Sequence, residues 1–194
     1  TLRLREAQAG TYEATQVRPF LHGRTETTRT VSTQSSAFVR AMGLKPKRDE
    51  HEKDVCEEKI LLLRAAVDAH TMYIGSASKA QGVDRHFFGL SMVVESNEVA
   101  PSLFSDPVFA RSKRWRVSTS NLTHPAFENW GYGEVFPDGV GLSYSVHKTH
   151  CLFNIVALKE NGWVARLSDL LEESLVEMQS LILADKANVP QSKL

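Results

Sequence analysis

Cysteine is nearly absent: the 194 residues hold two, Cys56 and Cys151, far apart and with no metal-ligand spacing. That excludes a disulfide-stapled framework and a zinc finger. With no leader-like start to the chain, a reduced compartment is expected. Net charge is absent as well, since Lys plus Arg and Asp plus Glu number 23 each. Without a bulk positive field, neither nucleic acid nor an anionic membrane surface is an expected partner. No apolar run approaches the ~18–20 residues that a membrane span requires. There is no Gly-rich phosphate loop, no Gly-x-Ser-x-Gly elbow and no His-Glu-x-x-His pair, and the seven histidines form no recognisable constellation. Generic motifs thus leave a soluble domain with no metal site, no bound cofactor and no visible catalytic base.

What is present is ordinary in amount, with 42% hydrophobic and 24% charged residues, enough to bury a core in one domain or two small ones. Thr11 to Val17 suits a strand, Gly23 permits a turn, and "TETTRTV" reads as extended. Ser32 or Thr33 can cap a helix to Met42. "KPKRDEHEKD" is a linker of mixed charge, and a long helix is expected over residues 53–74 until "GSASKAQG" breaks it. Asp84 is the expected cap of the next helix. A connector and a short helix precede the strand "RWRVSTS", and Pro137-Asp138-Gly139 marks a reversal. Residues 140–147 and 151–158 predict a hairpin, and an amphipathic helix follows through Val164, Leu167, Leu171, Leu175, Met178 and Ile182. Strands framed by helices predict an α/β fold, and the hairpins argue for a mixed rather than an all-parallel sheet.

Three stretches carry polar chemistry, each with a plainer reading beside it. "HGRTETTRT" supplies Arg24 and Arg29, with Thr25 and Thr27 alternating on one strand face; it is either a solvated strand or an anion pocket of charge-assisted donors. "GVDRHFFGL" sets Arg85 near a helix N-terminus, where a cation is unfavourable unless an anion holds it; a structural Asp84–Arg85 pair is the alternative. "VSTSN" gathers Ser118, Thr119 and Ser120, which could donate to an oxyanion or simply bond a turn.

In order, "TYEA…FLHGRTETTR", "QGVDRHFFGL", "VSTS", "GYGEVFPDGVGLSYSV" and the last amphipathic helix resemble the C-terminal half of the carnitine/choline acyltransferase family. The resemblance implies one half of a two-domain, coenzyme A-dependent acyltransferase over residues 1–185, with 186–194 as a tail. It implies transfer of an acyl group between coenzyme A, the co-substrate as its thioester, and the carnitine hydroxyl. On the matching positions, Tyr12, Thr25 and Arg85 would hold the carnitine carboxylate, and Ser120 would donate to the oxyanion with Ser118 close by. Tyr132 would face the trimethylammonium group, and a buried Arg85 would favour carnitine over choline. Trp130 would narrow the acyl channel toward short chains, with medium chains open, and Asn121 stands at the coenzyme A edge. The family's catalytic histidine and its phosphate-binding lysines have no counterpart here, so the chain alone is expected to be inactive, its partner being the N-terminal half. The rival expectation is a free-standing, non-catalytic domain that binds a small zwitterion or a partner protein. The terminal Ser192-Lys193-Leu194 is the tripeptide read by the peroxisomal import receptor, which implies a peroxisomal address.

Overall fold

The computed structural model describes residues 9–43, 52–95 and 97–188. Most of the mixed-charge run and the Ser192-Lys193-Leu194 tripeptide lie outside them. In chain order the elements are β1 (Gly10–Gln16), β2 (Thr25–Thr28), α1 (Thr33–Met42), α2 (Glu52–Ala77), α3 (Val83–Met92), α4 (Ser102–Ser105) and α5 (Pro107–Ser112). After these come β3 (Trp115–Asn121), β4 (Val140–Val146), β5 (Cys151–Val156) and α6 (Val164–Asn188). The described residues divide into two compact units, one of residues 31–43, 52–71 and 165–188, the other of residues 9–30, 72–95 and 97–164.

The second unit is built on a five-stranded sheet of order β2-β1-β3-β4-β5. β1 pairs antiparallel with β2 and parallel with β3; β3 pairs parallel with β4, and β4 antiparallel with β5. The fold is therefore α/β with a mixed sheet, as the hairpins implied. The β4–β5 connection is closed by His147 N–H donating to the His150 carbonyl, and the 136–139 reversal by Gly139 N–H donating to the Phe136 carbonyl. Between Gly10 and Thr11 the register of β1 against β3 slips. At this irregularity the strands approach so closely that a Cβ on Gly10 would lie 2.5 Å from the Arg114 carbonyl oxygen. The slip turns Trp115 to the side of Tyr12, and the two rings stack at 4.5 Å.

In the first unit Ser32 caps α1 with a capping box completed by Ser35, as expected for that residue. α2 and α6 are tied by Arg64 and Asp185 at 3.0 Å, beside an apolar groove of about 370 Å³ lined by Ile60, Leu63, Val67 and Ile182.

Two local expectations are corrected. α2 does not stop at residue 74 but runs on to Ala77; a single Gly75 costs only about 1 kcal/mol in a helix, and Ala77 at the end is fully buried. Asp84 does not cap α3. The cap is Gly82, which offers no side chain, and Asp84 lies in the first turn with its carboxylate engaged elsewhere.

Candidate substrate-binding site

Strand register sorts the polar residues by face. Tyr12 pairs with Ser118, Ala14 with Thr27, Gln16 with Thr25, Ser118 with Gly141 and Ser120 with Ser143. Side chains alternate along a strand and paired residues share a side. Tyr12, Thr25, Thr27, Ser118, Ser120, Ser143 and Ser145 therefore lie on one face. Glu13, Thr15, Glu26, Thr28, Thr119, Asn121 and Tyr144 lie on the other. The alternation of Thr25 and Thr27 on one face holds. The hydroxyl cluster at 118–120 is split, with Thr119 turned away from the two serines.

Arg85 and Thr25 meet at the sheet edge: the guanidinium donates from Nε to the Thr25 carbonyl at 3.2 Å and from Nη2 to Thr25 Oγ1 at 3.5 Å. Arg85 is exposed, not buried as expected. The buried charged residue in this corner is Glu26, 2% exposed, whose Oε1 accepts from the backbone N–H of Thr27 at 2.7 Å and of Arg85 at 3.3 Å. Arg29 is committed as well, bonding both Asp84 oxygens (2.8 and 2.5 Å) and the carbonyls of Thr11 and Ser112. The expected Asp84–Arg85 pair is thus an Asp84–Arg29 pair, and Arg24 is exposed. Tyr73 of α2 reaches the same charges; burial, then the Asp84 carboxylate, raises its phenol above the ordinary range. Thr27 is fully buried, and its hydroxyl has no partner among the described residues.

The serine face is crossed by the 122–133 segment, which is pinned through its backbone. Ser145 donates to the Leu122 carbonyl at 2.9 Å, and Ser143 and Asn154 both donate to the Trp130 carbonyl, at 2.6 and 2.9 Å. Gly141 lets the segment lie against β4: a Cβ there would stand 2.4 Å from the Gly133 carbonyl oxygen. Tyr132 shares its one hydroxyl proton between the carbonyls of Ser118 (2.7 Å) and Leu142 (3.2 Å), and burial raises its pKa. Its ring sits 5.4 Å from that of Trp130.

The structure therefore joins Thr25 to Arg85, Tyr132 to Ser118, and Tyr132 to Trp130, and it sets Tyr12 beside Ser118 in register. Ser120 is half-buried, and its hydroxyl takes part in no side-chain hydrogen bond among the described residues. Asn121 ends β3 on the opposite face, exposed, accepting from Thr123 at 3.4 Å. Two features had no local signal in the sequence. One is Glu26 reaching across to the α3 start; the other is a trio of Glu13, Thr119 and Tyr144, in which the carboxylate accepts from both hydroxyls at 2.8 Å.

A sequence model described as Choline/Carnitine o-acyltransferase matches residues 1–173, so the mixed sheet and its serine face are part of an acyltransferase fold. The chain belongs to the choline/carnitine O-acyltransferase family. It is similar to the mitochondrial carnitine O-acetyltransferase of Saccharomyces cerevisiae, 37% identical over 88% of this chain and 25% of the relative. It is 34% identical to carnitine O-acetyltransferase of Rattus norvegicus over 95% of this chain and 28% of the relative. With choline O-acetyltransferase of Gallus gallus the identity is 31% over 88% of this chain and 26% of the relative. The chain spans about a quarter of the length of the curated relatives it matches.

Proposed function

We propose that this chain is the C-terminal part of a carnitine O-acyltransferase that moves a short or medium acyl group between coenzyme A and the carnitine hydroxyl. The observation that carries the reading is the Arg85 guanidinium at Thr25. It is exposed, it is bonded only to uncharged oxygens, and among the described residues its Nη1 group has no partner. A planar cation with free donors beside a threonine hydroxyl suits a carboxylate. Carnitine has one and choline has none, so carnitine is the substrate assigned.

Tyr12 and Ser118 complete the carboxylate side, and Tyr132 offers a ring to the trimethylammonium group, with its hydroxyl already turned into the sheet. That contact is worth roughly 0.5–2 kcal/mol. In the reaction a histidine outside this chain takes the proton of the carnitine hydroxyl, whose oxygen attacks the thioester carbonyl. Ser120 donates to the oxyanion of the tetrahedral intermediate. Collapse expels coenzyme A thiolate, which recovers the proton. Trp130 limits the acyl channel, and Asn121 lies toward coenzyme A.

Against a free-standing binding domain stand large apolar side chains in the open, among them Leu61 at 67%, Met92 at 69% and Val93 at 71% exposure. They support a further segment of the same enzyme as the partner. Ser192-Lys193-Leu194 supports import into peroxisomes, although the name of the yeast relative places that protein in mitochondria.

The test is to capture the native protein by its C-terminus, weigh it intact, and assay acetyl transfer from acetyl-CoA to carnitine and to choline. A mass several times that of this chain with transfer to carnitine supports the reading. A mass equal to the 194-residue chain with no transfer overturns it in favour of a binding domain.

A further inference from the structure

We infer that Glu26 is a positioning residue for Arg85: it caps helix α3 from the neighbouring strand and so fixes where the guanidinium stands. The inference rests on the carboxylate-binding role proposed for Arg85.

A helix begins with backbone N–H groups that lack intrahelical partners, and a side-chain oxygen at the cap position usually takes one. α3 has no such oxygen, because its cap is Gly82. Glu26 supplies it from β2 instead, with Oε1 accepting from the N–H of Arg85 at 3.3 Å and of Thr27 at 2.7 Å. The glycine and the carboxylate exclude each other's alternatives. A Cβ on residue 82 would lie 2.5 Å from Glu26 Cγ and 2.7 Å from Cδ, and Glu26 is too deeply buried to swing clear. One carboxylate therefore bonds the backbone of the residue after Thr25 and Glu26 and the backbone of Arg85 itself. That holds both partners of the Thr25–Arg85 contact in one frame. Arg29, one residue past the end of β2, and Asp84 in the same helix turn form a second tether, separate from the Thr25–Arg85 contact. With that second tether in place, loss of Glu26 shifts Arg85 without releasing α3.

The test compares Glu26→Leu, Glu26→Gln, Gly82→Ala and Arg85→Ala in the complete enzyme, reading KM for carnitine, KM for acyl-CoA and kcat. Exchange of the Arg85 backbone N–H is followed by NMR. Leucine fills the space but accepts no hydrogen bond. Glu26→Leu is expected to raise the carnitine KM about tenfold, the scale of one lost charge-assisted bond, with the acyl-CoA KM little changed, and to speed exchange at Arg85. Glutamine keeps the accepting oxygen and should recover most of that loss. Gly82→Ala, which displaces the carboxylate without altering its charge, should resemble Glu26→Leu and serves if the leucine variant does not fold. If Arg85→Ala raises the carnitine KM while Glu26→Leu and Gly82→Ala do not, or if these two raise both KM values alike, the positioning role is overturned and the carboxylate reading stands. If Arg85→Ala leaves the carnitine KM unmoved, the carboxylate reading fails and the inference fails with it.

Discussion

The phenol of Tyr144 on β4 donates to the carboxylate of Glu13 on β1 at 2.8 Å, reaching over the intervening strand β3. Thr119 of β3 fills the second Glu13 oxygen at 2.8 Å, so one carboxylate braces three strands on the face opposite the serines. Burial, then the Glu13 contact, raises the Tyr144 pKa well above the ordinary phenol range.

Tyr144→Phe removes the brace and is expected to lower stability by about 1.5–3 kcal/mol, as for a hydrogen bond to a charged group. It should also change the alkaline limb. The folded state keeps the Tyr144 proton above the unfolded value of about 10, so this contribution is whole below about pH 10 and is lost as pH rises beyond it. Urea unfolding measured at neutral pH and above about pH 10 should show the wild-type protein losing stability at the higher pH and the variant losing less. A variant that loses as much leaves the slope to Tyr73 and Tyr132, whose pKa values are also raised by burial.

Ser120→Ala removes a hydroxyl that makes no side-chain hydrogen bond among the described residues, so little structure depends on it. Its effect should fall on turnover: kcat in the complete enzyme lower by about 10²–10³, the usual loss for one oxyanion donor, with both KM values held. A kcat within a few-fold of wild type moves the oxyanion donor elsewhere.

Trp130→Gly should open the acyl channel. The ratio of kcat/KM for octanoyl-CoA to that for acetyl-CoA is expected to rise by roughly tenfold or more, the scale at which pockets discriminate added methylenes. An unchanged ratio means that Trp130 does not bound the channel.

Gly141→Ala places a Cβ against the backbone of the crossing segment, 2.4 Å from the Gly133 oxygen and 2.7 Å from that of Tyr132. Either β4 or the 131–133 segment must shift, at about 1–3 kcal/mol for an overpacked site. Thermal unfolding should detect the loss, and Gly139, which faces the Arg116 carbonyl on the same strand approach, should be similarly intolerant.

Local signals in the sequence were reliable where the physics is local. The Ser32 cap, the Pro137-Asp138-Gly139 reversal, the 147–150 connection and the long last helix depend on neighbours within a few residues. The α3 start was misread because its cap comes from Glu26, 56 positions before Gly82, and Asp84 answers to Arg29, 55 residues away. The position of β3 between β1 and β4 was equally silent, since period-2 alternation does not say which strand pairs with which. The site residues were found through the family resemblance rather than through periodicity. Their sorting onto two faces needed the register, which also separated Thr119 and Asn121 from the two serines.

The Trp130 segment is held by its carbonyl, gripped by Ser143 and Asn154, while the indole Nε1 is buried and makes no hydrogen bond among the described residues. Anchor and tool are thus separate parts of one residue. Selection can trade the side chain at position 130 for a smaller or larger one while the main-chain grip stays as it is. If the Trp130 side chain bounds the acyl channel as proposed, substrate range can drift by single codon changes with no rebuilding of the sheet beneath.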